Sequence, residues 1–158
     1  QGETRDQAIV NLDILPTICE ILEIPKPKNK LDGKSILDII NSDDAKSPHE
    51  VLHWMWQGMW AVRKGNWKLI YDGHDTTGKF SIHPEKEFEM PEYYLANLDD
   101  EKPEEINYAL KEPKILKELL ELHQSWAKDV FEGSGYPDPN SAEGKEEKIV
   151  KTKGTTKL

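Results

Sequence analysis

Trp54, Trp56, Trp60 and Trp67 crowd one short stretch of the chain, with Arg63, Lys64 and Lys68 set among them. Aromatic faces can stack on sugar rings, and the cations could meet an anionic substrate. The same tryptophans on alternating strands would build a core against a helix, and the same cations would blunt a sheet edge. The core reading is the simpler one. The five histidines stand at 49, 53, 74, 83 and 123, and none makes the i, i+4 pair of a helical metal site. His53 and His123 lie in apolar patterns and read as packed side chains. His74 and His83 lie in a long loop, where a histidine held by a rigid hairpin could contact an anionic ligand. Otherwise they are ordinary exposed histidines. Asp99-Asp100-Glu101 with Glu104-Glu105 suggests a calcium loop, but it lacks the alternating oxygen ligands, central glycine and distal glutamate that such a loop requires. A solvated turn leading into a short helix fits better.

No serine has the glycine-flanked elbow of a hydrolase nucleophile, and no glycine-rich loop is present to cradle phosphate. Cys19 is the single cysteine, which excludes an internal disulfide or a cysteine-built zinc cluster. Within the apolar helical pattern of residues 17–22 it reads as a buried structural thiol. The residues alone therefore supply no catalytic set and no metal set. The formal net charge of −9 repels phosphate backbones and anionic membrane surfaces, so neither nucleic acid nor a membrane is an expected partner. No apolar run has the length to span a bilayer.

These candidate side chains must be positioned by an α+β fold. Residues 8–10 are a short apolar entry that reads as a strand end. Asn11 or Asp13 can cap a following helix that tolerates Pro16 in its first turn and repeats Ile14, Leu15, Ile18, Ile21 and Leu22 at helical spacing. Pro25 stops it. Residues 35–40 read as a short helix. Residues 51–56, 59–63, 66–71 and 93–98 read as strands, the second and third joined by a tight turn at Lys64-Gly65. Short connections make the sheet antiparallel, with roughly four strands. Residues 72–91 read as a long loop. Pro113 opens the longest helix, with an apolar stripe of Ile115, Leu116, Leu119, Leu120, Leu122, Trp126 and Val130 that needs one face of the sheet as its partner. Beyond residue 132 the sequence has little to bury and reads as an extended or disordered tail.

Four segments occur in an order that resembles the C-terminal portion of a sulfatase of the alkaline-phosphatase superfamily. They are Asp13-Ile14-Leu15-Pro16-Thr17, Asp32-Gly33-Lys34-Ser35-Ile36, the hairpin Ala61-Val62-Arg63-Lys64-Gly65-Asn66-Trp67-Lys68-Leu69, and a looser match from Leu95 to Glu105. The resemblance implies that residues 1–25 close a catalytic domain, that 26–132 form a smaller C-terminal subdomain, and that 133–158 are its tail. It implies a parent enzyme that hydrolyses sulfate esters of a sulfated carbohydrate or small aryl compound, using a formylglycine nucleophile and a calcium ion. Both would lie on an N-terminal catalytic domain outside this chain, because Cys19 lacks the following Pro/Ala and Arg of the family's nucleophile motif. The expected partners are that domain and the sulfated substrate. The fragment alone is expected to be inactive, and the parent to be periplasmic, secreted or lysosomal. His74 is the residue implied to contact substrate, ahead of Lys79 and His83. A phosphonate or phosphodiester hydrolase of the same superfamily, and a free-standing glycan- or protein-binding module, remain alternatives. The binding module implies saturable binding that is lost on mutating an exposed Trp56 or Trp60, and it fails if those tryptophans are buried.

Overall fold

The computed structural model describes residues 2–56, 58–72, 92–132, 134 and 138. Among them are helices α1 (Ile14–Ile21), α2 (Leu37–Asn41) and α3 (Pro113–Phe131) and strands β1 (Val51–Trp56), β2 (Met59–Lys64), β3 (Trp67–Tyr71) and β4 (Tyr93–Asn97). A short 3-10 turn, Asn11–Asp13, leads into α1. The chain divides into two compact units, 1–50 and 51–158.

The first unit is laced by side chains that bond to backbone. The Arg5 guanidinium donates to the Ile39 carbonyl (2.8 Å) and pairs with Asp43 (2.6 Å). Gln7 Nε2 donates to the Asp43 and Ala45 carbonyls, and the Ser47 hydroxyl donates to the Ala8 carbonyl. Residues 8–10, expected as a strand end, are thus held by side-chain bonds and form no ladder. The periodicity of α1 is as expected, but its burial is reversed. Pro16, Thr17 and Cys19 are buried, while Ile14, Leu15, Ile18, Ile21 and Leu22 are 45–60% exposed. The small and polar side of the helix packs inward because it is the side that docks on the 32–36 segment through hydrogen bonds.

The second unit is a four-stranded antiparallel sheet in the order β1-β2-β3-β4, with α3 across one face. Gly65, at φ +56, opens the two-residue β2–β3 loop, a position that favours glycine. His53, Val62, Leu69 and Leu95 lie in one cross-strand row on the helix side. Val62, Leu69 and Leu95 are fully buried under Leu119 of α3. The inward line of α3 is Leu119, His123 and Ala127, at i, i+4 spacing, while Val130 of the expected stripe is exposed. The free edge of β4 is covered by Asn107, whose side chain bonds the Leu95 amide and the Tyr93 carbonyl, and by the Tyr108 amide on the Leu95 carbonyl (2.7 Å). The observed fold is α+β, with a short helical segment ahead of the sheet and a long helix after it, as the sequence led us to expect.

Candidate functional site

Asp13 organises the first unit. Its side chain is fully buried, with Oδ2 accepting from the Val10 amide (2.9 Å) and Oδ1 accepting from the Lys34 amide (2.8 Å) and from His49 Nε2 (2.7 Å). One turn on, the Thr17 hydroxyl donates to the Asp13 carbonyl (2.6 Å) and accepts from the Ile36 amide (3.1 Å). Asp13 and Thr17 are four residues apart and so share a helix face. Together they bind alternate amides of the 32–36 segment. The segments around Asp13 and Gly33 are thus two halves of one structural joint. Burial works to raise the Asp13 pKa, but the Val10 and Lys34 amides and the His49 imidazole outweigh it and hold the carboxyl below its ordinary value. Stability from this carboxylate is therefore present above pH 3.8 and is lost as pH falls through the lower folded-state value. In the sequence His49 is one of five scattered histidines, since nothing local links it to a carboxylate 36 positions away.

A second cluster lies under α3. The His123 ring stacks on Trp60 (3.8 Å between centroids), and the His53 ring stacks on Trp126 (4.8 Å), with the two imidazoles 5.9 Å apart. His123 is 3% exposed and neither ring nitrogen has a hydrogen-bond partner among the described residues. Burial pushes the pKa of each histidine down to about 4, with the neighbouring imidazole lowering His123 further and Asp138 opposing. Above pH 6.5 the His123 imidazole is neutral in both the folded and the unfolded chain, so its contribution does not change with pH. Below pH 6.5 the unfolded chain takes up a proton that the folded chain refuses, so stability falls until about pH 4. For His123 the loss amounts to about 3 kcal/mol. Urea unfolding of the wild type and His123→Phe across this range checks it: the variant should gain on the wild type as pH falls, and a constant difference would contradict the assignment.

The tryptophans divide between the two faces of the sheet. Trp60 is buried on the helix side, whereas Trp54 and Trp56 are 43% and 58% exposed on the other. Of the two tryptophans that the binding-module alternative would use, Trp56 is exposed and Trp60 is buried. On the outer face Trp54, Ala61, Arg63 and Lys68, with Leu98, Pro103 and Glu104 from the segment after β4, line a groove of about 530 Å³. Lys68 Nζ pairs with Glu104 Oε1 at 2.5 Å, and Arg63 Nε donates to the Gly65 carbonyl at 2.9 Å. Lys64 instead reaches Glu118 on α3 (2.7 Å).

The acidic run after β4 disperses to separate partners. Asp99 accepts from Asn66, Asp100 accepts from the Tyr108 hydroxyl (2.9 Å), and Glu105 pairs with Lys102 (3.7 Å). These residues form turns, and the expected short helix is not formed. Among the described residues no group of three His, Cys, Asp or Glu side chains converges as metal ligands would. Cys19 is buried, as its pattern suggests. His74, the expected substrate contact, and Lys79 and His83 lie outside the described residues. No helix among the described residues is long and apolar enough to cross a membrane.

No family model matches the chain. Over 125 residues it is 30% identical to an uncharacterized sulfatase of Schizosaccharomyces pombe, covering 73% of this chain and 20% of that protein. Its fold is similar to that of a sulfatase from the metabolism of multiple glycosaminoglycans by Bacteroides thetaiotaomicron, with a TM-score of 0.51 and 22% identity, over 72% of this chain and 24% of that one. The chain thus spans about a fifth of the curated relative and a quarter of the solved one. A relative and a fold of the kind the four ordered segments imply lead to one conclusion: this chain is a homologue of part of a sulfatase.

Proposed function

We propose that the chain is the C-terminal part of a sulfuric ester hydrolase, and that it packs on a catalytic domain supplying the formylglycine nucleophile and the calcium site. The observation that carries this reading is the apolar face of α1. Ile14, Leu15, Ile18, Ile21 and Leu22 are about half exposed on a single helix, and contiguous apolar surface of that kind marks an interaction site. Relatives several times longer than this chain offer a ready partner for it. In this reading the substrate is a sulfated carbohydrate or aryl sulfate, and the loop carrying His74 reaches the pocket. The parent acts in the periplasm, outside the cell or in a lysosome.

The division of labour has a direct test. The chain alone should release no sulfate from p-nitrocatechol sulfate or from a sulfated glycan, while the parent protein does so. Turnover by the chain alone would overturn the proposal. So would a parent protein that cleaves phosphonate or phosphate diesters in preference to sulfate esters.

A further inference from the structure

The groove on the outer face of the sheet has no part in the joint at Asp13 or in the α1 face. Its floor follows from the strand register. Trp54 of β1 stands opposite Ala61 of β2, and the next row on that face sets Arg63 of β2 opposite Lys68 of β3. The methyl group of Ala61 leaves a dent beside the exposed indole, which the 98–104 segment closes with Leu98, Pro103 and Glu104. Tyr94, on the same face, fixes that segment by donating to the Glu104 carbonyl (2.8 Å). Rows two residues apart on one face are separated by about 7 Å. That spacing sets the Trp54 indole one row from the Arg63 cation, on adjacent strands of one face.

The charges favour one class of ligand. The chain as a whole carries −9, so an anion would not be drawn by the overall field and must be held locally. Glu104 offsets Lys68. Among the described residues, Arg63 makes only the hydrogen bond from Nε to the Gly65 carbonyl. That bond orients the guanidinium and leaves its terminal nitrogens for a ligand. A planar guanidinium matches the paired oxygens of a sulfate group, and an indole face matches the apolar face of a pyranose. We propose that this groove binds a sulfated saccharide, with Trp54 stacking on the ring and Arg63 holding the sulfate. The inference rests on the sulfatase reading for its choice of ligand and extends it to a second contact with the glycan chain.

The test is calorimetric titration of the chain with a heparin tetrasaccharide, beside the same tetrasaccharide stripped of sulfate but keeping its carboxylates. Saturable binding is expected, at least 10-fold tighter for the sulfated form. Arg63→Ala and Trp54→Ala should each weaken it at least 10-fold with an unchanged thermal midpoint. Glu104→Gln, which frees Lys68, should tighten it several-fold, a gain that loss of folding cannot mimic. No saturable binding, equal binding of the desulfated saccharide, or unchanged affinity in either alanine variant would overturn the proposal. A parent protein that hydrolyses sulfate esters while this chain fails the titration would remove the groove site and leave the sulfatase reading standing.

Discussion

Replacing Asp13 with alanine should destabilise the first unit by about 3–5 kcal/mol, the largest effect expected of any single polar substitution in it. The carboxylate serves the Val10 amide, the Lys34 amide and the His49 ring nitrogen at once. Its removal leaves all of them without a partner beside a side chain that is fully buried. Each stranded donor costs about 1–3 kcal/mol when water cannot reach it, and less where it can. Asp13→Asn should recover only part of the loss, since an amide must turn its NH2 group toward one of these donors. Amide hydrogen exchange reports the effect locally. Protection at Lys34 and Ile36 should collapse in Asp13→Ala, while protection at Leu69 and Leu95 stays high. Loss of less than 1 kcal/mol at Lys34 would mean that Asp13 does not hold the joint.

Gly33→Ala should disrupt the same joint from the other side, at a cost of about 3 kcal/mol. A Cβ built at Gly33 would lie 1.9 Å from the Leu12 carbonyl oxygen and 2.4 Å from its carbon. Both are backbone atoms of the turn entering α1, so no side-chain rotation relieves the clash. The segment must move away, and movement breaks the Lys34–Asp13 and Ile36–Thr17 bonds that set its position. The smaller entropy of the unfolded alanine chain offsets only a fraction of this. The effects of Gly33→Ala and Asp13→Ala should therefore be less than additive, because either substitution alone releases the segment. Additive losses in the double variant would show that two independent features had been removed.

The glycine also explains how closely its segment approaches the turn that leads into α1. Each supplies what the other's backbone needs. Neither half discloses this by itself: helical spacing identifies α1, but the bond partner of Thr17 is 19 positions away. The sheet was far more legible. Its strands rest on local alternation and its turns on glycine, and β1 spans the expected residues, Val51–Trp56. What alternation does not give is the face. Trp54, Trp56 and Trp60 have the same parity, yet the pairing of Trp56 with Met59 across a two-residue loop turns even-numbered residues outward on β1 and inward on β2. That single feature separates a buried tryptophan stacked on His123 from two exposed ones. The reversal at α1 has a different cause. The apolar residues are at the right spacing, but which side of a helix is buried depends on what stands beside it. Within this chain the inward neighbour is the hydrogen-bonded 32–36 segment. The His53 and His123 cluster was legible only as two packed histidines, since 70 positions of chain separate the rings that the fold brings within 5.9 Å.

The most direct measurement is the sequence of the gene upstream of the codon for Gln1. The account predicts an open reading frame continuing upstream, with a Cys/Ser-x-Pro/Ala-x-Arg motif and the metal-binding aspartates of a sulfatase catalytic domain. A start codon close to Gln1 with no such motif before it would contradict the account. It would leave the exposed face of α1 without the partner proposed for it.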